Sequence, residues 1–221
     1  MKNFDLITFD CYGTLIDWEA GIFDAFRSEA AKDGRQLERG SVIAAYGAAE
    51  AEIEGKGFIP YRQVLNQAAR DCAAKLGWSV TEERASFLAK SLPSWQPFPD
   101  TNPALERLAS GFHLGILSNV DDDLLLETLG HLTVSFEMIV TAGEIRSYKP
   151  GRGQFEEAMR RKGTARWLHA AQSYFHDIRP ALEINIPVAW INRKSEALPE
   201  GQTKPRFVVS DLNQLADHLG A

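Results

Sequence analysis

Cysteine is almost absent from the chain: Cys11 and Cys72 are the only two in 221 residues. Two thiols cannot build a disulfide framework and their spacing is not that of a zinc site, so a reducing compartment is expected. Long apolar runs are missing too, which excludes a helix crossing a bilayer. The stretch from Phe4 to Phe9 is interrupted by Asp5 and is too short for the apolar region of a secretion signal, which makes the cytoplasm the expected location. Basic residues are not in excess, since 24 Lys and Arg stand against 30 Asp and Glu, a net charge of −6. Nucleic acid, which requires a positive field, is not an expected partner, and neither is a membrane. Internal repeats and low-complexity tracts are also lacking.

What remains is ordinary globular material, 44% hydrophobic and 24% charged, enough apolar surface for a packed core. The run Phe4 to Phe9 predicts a buried strand that leads into a glycine turn at Asp10-Cys-Tyr-Gly-Thr. From Trp18 to about Leu92 the pattern is helical, over Ile22 to Ala31, Val42 to Glu54, Tyr61 to Leu76 and Glu82 to Ser91. Thereafter strands alternate with helices. Strands are expected at His113 to Leu117, Met138 to Thr141, Ser173 to His176, Val188 to Ile191 and Phe207 to Val209, with helices near Pro103 to Ala109 and Asp122 to Leu129. Such alternation predicts an α/β fold with a Rossmann-like parallel sheet. The expected division is a core of residues 1–15 and 96–221 with a helical insertion over 16–95.

Ligands of an open parallel sheet collect beyond the carboxyl ends of its strands. Polar residues fall at those ends: Asp10 after the first strand, Ser118 and Asn119 after the second, Lys149 in the loop after the third, and Asp177 after the run SYFH. A carboxylate, a hydroxyl, a lysine and a second carboxylate at one sheet edge suit covalent catalysis. Asp10 would attack carbon or phosphorus. Thr14 and Ser118 would donate hydrogen bonds to Asp10 or to substrate oxygens, and Lys149 would keep Asp10 ionised. Asn119 would donate likewise. Asp177 would position water, orient Lys149, or hold a divalent metal together with Asp10.

These residues carry a resemblance. FDCYGTLID at Phe9 to Asp17, ILSN at Ile116 to Asn119, YKP at Tyr148 to Pro150 and HDIRPA at His176 to Ala181 are similar, in that order, to the four motifs of the haloacid dehalogenase superfamily. The resemblance implies a Rossmann-like core, a helical cap and Asp10 as nucleophile. Phosphatases of the superfamily carry a second Asp two places after the nucleophile, where this chain has Tyr12. A phenol does not replace that carboxylate near neutral pH. Asp-x-Tyr-Gly-Thr instead resembles the 2-haloacid dehalogenases, whose halide leaves without a proton, and it implies a small anionic substrate, no required cofactor and a 2-hydroxy acid product.

Two departures stand beside that likeness. The stretch Ala44 to Gly55 lacks the arginine that those dehalogenases carry early in the cap, leaving Arg62 as the nearest substrate-binding candidate, with Tyr12 and Asn119 as the others. The places of their Ser-x-Asn pair read Gln172 and Tyr174. The alternative reading is a magnesium-dependent phosphatase of a small metabolite, with the ion on Asp10, the Tyr12 carbonyl and Asp177. Related caps sometimes pair, which admits a homodimer.

Simpler roles are expected elsewhere. Asp121 to Asp123 read as capping and dipole partners of a helix start rather than as a metal site. His176 reads as structural, and Trp78, Trp95, Trp167 and Trp190 as packing residues. Trp18, Tyr46 and Tyr61 are candidates for an apolar pocket wall.

Overall fold

The structure, a computed structural model, describes residues 3–198 and 200–221. Contacts divide the chain into two compact units, one of residues 1–16, 97–119 and 130–221, the other of residues 17–96 and 120–129.

The first unit holds a six-stranded parallel sheet. Its strands are β1 (Leu6–Phe9), β2 (His113–Ser118), β3 (Met138–Thr141), β4 (Trp167–Ala171), β5 (Val188–Ile191) and β6 (Phe207–Val209), arranged in the order β3-β2-β1-β4-β5-β6. All four residues of β1 are buried, as a central strand covered on both faces requires, which is why its apolar run is continuous rather than alternating. The register pairs Phe9 with Ile116 on one side and Ala170 on the other. Asp10 therefore leaves the sheet where β2 and β4 also end. Because β1 occupies the middle and the order reverses beside it, the site lies at the switch point of the sheet.

A core of Leu117, Met138, Val140, Phe155, Trp167, Ile178, Val188 and Trp190 fixes the strand ends around that point. The helix Gly153–Arg161 contributes Phe155 and Ala158 to it. The strand expected at Ser173 to His176 is not one. The strand there is β4, which ends at Ala171, and Tyr174–Ile178 winds into a π-turn continuing as helix Arg179–Glu183. Ser173 stops the extended chain by capping that turn, its side chain accepting from the His176 N–H at 3.0 Å. Such caps are local side-chain chemistry that hydrophobic pattern does not reveal. Asp177 is thus presented from a turn, not from a strand end.

The second unit is helical, built from α1 (Trp18–Ala31), α2 (Arg39–Glu54), α3 (Tyr61–Lys75) and short helices at Glu82–Ala85 and Phe87–Ser91. The single helix expected over Glu82 to Ser91 is broken at Ser86, whose hydroxyl donates to the Glu83 carbonyl at 2.7 Å. Asp17 caps α1 through the Ala20 N–H, and Glu38 caps α2 through the N–H groups of Gly40 and Ser41. Ile22, Phe26, Val42, Tyr46, Val64, Leu65 and Leu88 are buried among these helices.

One helix changes its expected place. Asp122–Leu129, assigned by the alternating rhythm to the sheet unit, clusters with the helical one. The reason is Asp121, whose two carboxylate oxygens accept from the N–H groups of Tyr61 and Arg62, each at 2.9 Å. These are the first backbone donors of α3, which have no partner within their own helix, so Asp121 caps a helix distant in the chain.

Candidate active site

Asp10 begins the Cys11–Ile16 loop, which is tightened by the N–H groups of Leu15 and Ile16 on the Cys11 carbonyl. Gly13 sits at φ +99° and its N–H donates to the Ile16 carbonyl at 2.8 Å. An L side chain rarely adopts that backbone angle, so glycine is required there. The turn brings Thr14 back upon Asp10. Thr14 Oγ1 donates to Asp10 Oδ2 at 2.8 Å and itself accepts from the Gln172 N–H at 2.9 Å.

The other Asp10 oxygen belongs to Lys149. Its ammonium donates to Asp10 Oδ1 at 2.8 Å, to Asp177 Oδ1 at 2.6 Å and to the Leu117 carbonyl at 2.9 Å. All three N–H bonds are used, and the side chain is 1% exposed. Fully burying an ammonium is costly unless it is paired and hydrogen-bonded, and here two carboxylates and a strand-end carbonyl meet that need. Burial alone would lower the lysine pKa, but the charges of Asp10 and Asp177 outweigh it and hold Lys149 at about 12.

The two carboxylates part ways. Burial pushes the Asp10 carboxyl up, Lys149 opposes the rise, and the charge of Asp177 adds to it, so the net direction is upward. Burial would raise Asp177 as well, but Lys149 and a hydrogen bond from His169 prevail and bring it to about 2. One lysine cannot neutralise both, and Asp177 has the contact with His169 besides, whereas Asp10 has only the Thr14 hydroxyl.

Ser118 lies at the end of β2 with its hydroxyl buried and no hydrogen-bond partner among the described residues. Such an unused group is uncommon in a folded interior. Asn119 is otherwise occupied. Its Nδ2 donates to the Lys149 carbonyl at 3.0 Å, while its Oδ1 accepts from the Lys149 N–H at 2.7 Å and from Gln154 Nε2 at 2.8 Å. Asn119 thus clamps the main chain that carries Lys149. Tyr12 adjoins the nucleophile, half-buried, its backbone bridged to Ile16.

The structure does not group Arg62 with these residues. Its guanidinium pairs with Asp123 at 2.7 Å, and its side chain is 43% exposed. Within the helical unit, Tyr46 and Tyr61 are buried and both hydroxyls donate to Glu50 Oε1 at 2.7 Å, with Trp18 beside Tyr46. Of the residues that depart from the dehalogenase pattern, Gln172 serves through its backbone. Tyr174 turns its hydroxyl to the Thr203 carbonyl at 3.0 Å and packs edge-on against Trp190.

Several contributors escaped the sequence reading. Arg193 holds the Thr14 carbonyl at 2.8 Å while gripping Asp100 with two bonds of 2.9 Å and stacking on Phe98. Gln154 braces Asn119. His169, a lone polar side chain in the otherwise apolar β4, meets Asp177 at 3.0 Å. Only that last one had a visible signal, a histidine in the middle of a buried strand.

A divalent ion would need Asp10, the Tyr12 carbonyl and Asp177 as its protein oxygens. Asp10 Oδ1 and Asp177 Oδ1 already share an ammonium. Among the described residues no three His, Cys, Asp or Glu side chains gather as a ligand set.

A buried aspartate is thus held by lysine and threonine at the switch point of a parallel sheet. The family model described as haloacid dehalogenase-like hydrolase matches residues 4–170, and the chain belongs to that family. Its relatives are more particular. An (S)-2-haloacid dehalogenase of Pseudomonas putida is 25% identical, covering 99% of this chain and 98% of its own length. Haloacetate dehalogenase H-2 of Moraxella sp. (strain B) is 29% identical over 99% of both chains. In fold, the L-2-haloacid dehalogenase of Xanthobacter autotrophicus, solved with chloropropionic acid covalently bound, superposes with a TM-score of 0.84 at 20% identity, covering 99% of each chain.

Proposed function

We propose that this hydrolase cleaves the carbon–halogen bond of a small 2-haloacid, with Asp10 as the nucleophile and a 2-hydroxy acid as product. The observation that carries the reading is Tyr12. It stands where a phosphatase needs a proton-transferring carboxylate, beside an Asp10 whose two oxygens are already positioned. A site without that acid suits a leaving group that departs as a stable anion, which halide does and an alkoxide does not. The dehalogenase names of full-length relatives support the same choice.

In this reading an Asp10 oxygen attacks C2 in line with the departing halide. Lys149 and Thr14 hold the carboxylate at a fixed angle, so that little orientational freedom is lost in the transition state. Ser118, with its free buried hydroxyl, donates to the substrate carboxylate. Asn119 acts by fixing Lys149. Asp177, ionised at neutral pH, aligns the water that opens the ester, and Tyr12 walls the substrate. For Arg62 to take the substrate carboxylate it must first leave Asp123, an exposed pair worth little and so readily exchanged. The helical unit is the cap. The mechanism requires no metal. Two buried free thiols suit the cytoplasm, and among the described residues no helix is long and apolar enough to cross a membrane.

The test is halide release from chloroacetate, fluoroacetate and both enantiomers of 2-chloropropionate, with and without EDTA, alongside phosphate release from a panel of phosphoesters. Halide release that resists EDTA and vanishes in Asp10→Asn is expected. Phosphate release that depends on magnesium, without halide, would replace this reading by the phosphatase one.

A further inference from the structure

His169 is wholly buried in β4, and both of its ring nitrogens are engaged. Nδ1 lies 2.8 Å from Thr8 Oγ1 and Nε2 lies 3.0 Å from Asp177 Oδ1. Trp167 Nε1 donates to the same Thr8 oxygen at 2.7 Å. An ionised carboxylate only accepts, so the contact with Asp177 calls for a proton on Nε2, and Thr8, which accepts from Trp167, has its O–H left to donate to Nδ1. In that arrangement the Nε2 proton points at Asp177. The opposite tautomer would set a ring lone pair against a carboxylate oxygen. Phe155 stands edge-on to the imidazole, centroids 5.3 Å apart at 85°, and fixes its plane.

The chain Trp167 to Thr8 to His169 therefore ends on Asp177 Oδ1, which also takes Lys149 Nζ. No donor among the described residues reaches Asp177 Oδ2. We propose that His169 is a positioning residue for the second half of the reaction, its Nε2–H locking Asp177 so that Oδ2 receives the hydrolytic water. This rests on the Asp10-ester reading. In that step the water oxygen adds to Cγ of Asp10, and the bond from Cγ to the substrate oxygen breaks. One water hydrogen ends on the product hydroxyl, and the other leaves as a proton when Asp10 returns to carboxylate. Halide displacement uses neither the water nor Asp177 Oδ2, so loss of the His169 hydrogen bond falls on ester opening alone.

His169→Leu removes the donor, whereas His169→Gln offers an N–H at similar reach. With a 2-haloacid that the wild type accepts, His169→Leu should release one halide per site at the wild-type rate. Its kcat should then fall roughly tenfold or more, the loss of a hydrogen bond to a charged group. Intact-protein mass should show the esterified enzyme accumulating, and His169→Gln should recover most of the turnover. Nitrogen NMR of the substrate-free wild type should place the proton on Nε2. Unchanged turnover in His169→Leu would overturn the proposal, as would first-turnover halide falling in step with kcat, or Gln performing no better than Leu. A proton on Nδ1 overturns the hydrogen-bond chain itself, independently of any dehalogenation. A wild type that releases no halide overturns the ester reading and this step with it.

Discussion

Asp10 is more costly to ionise than an exposed aspartate, because burial and the neighbouring Asp177 charge outweigh what Lys149 returns. The consequence is a pH dependence with a definite sign. A carboxyl whose pKa is raised in the folded enzyme takes up its proton while the pH is still above the ordinary 3.8, and the protonated acid is no nucleophile. The acid limb of kcat/KM, which reports the free enzyme, should lie above that value. An acid limb at or below it would contradict the assignment of burial as the dominant influence. Asp177 behaves in the opposite sense. Its contribution to stability is present above the ordinary carboxylate pKa and is lost as the pH falls towards about 2. At the pH where Asp10 is failing, Asp177 still holds Lys149.

The elements were unevenly legible in the sequence. β1, β2, β3, β5 and β6 read directly because they are short runs rich in apolar side chains between turn residues. The turn that carries Asp177 did not, because Ser173 ends the extended chain by a side-chain hydrogen bond and the π-turn has no periodic signature of its own. Nor did the placement of Asp122–Leu129, which depends on Asp121 capping α3 some sixty positions away in the chain. Gly21 in α1 stands against a buried tryptophan. In a helix interior, replacing Gly by Ala ordinarily stabilises by about 1 kcal/mol. At Gly21 an added Cβ would meet the Trp95 ring at 2.3 to 2.6 Å, and Trp95 is buried. Gly21→Ala should therefore destabilise, by about 1–3 kcal/mol as overpacked cores do, in urea or thermal unfolding. A stabilised variant would show that the Trp95 ring moves aside freely.

For the molecule as a whole, the α/β fold and the gathering of Asp10, Lys149 and Asp177 were legible because the motif residues fall at a sheet edge that the topology itself defines. What sequence did not disclose was the support around them: Gln154 bracing Asn119, Arg193 holding the Thr14 carbonyl, and the buried chain from Trp167 to Asp177. These are contacts between residues far apart in the chain, made by side chains that look unremarkable one at a time. The aspartyl ester is the claim on which the proposed chemistry turns. A single turnover in ¹⁸O-labelled water, with enzyme in excess over a 2-haloacid that it dehalogenates, tests it most directly. The account predicts a 2-hydroxy acid whose new oxygen is unlabelled, because it came from Asp10, with the label found on the Asp10 carboxylate by peptide mass. Label passing straight into the product, with none on Asp10, would mean that water attacks the substrate directly and would contradict it.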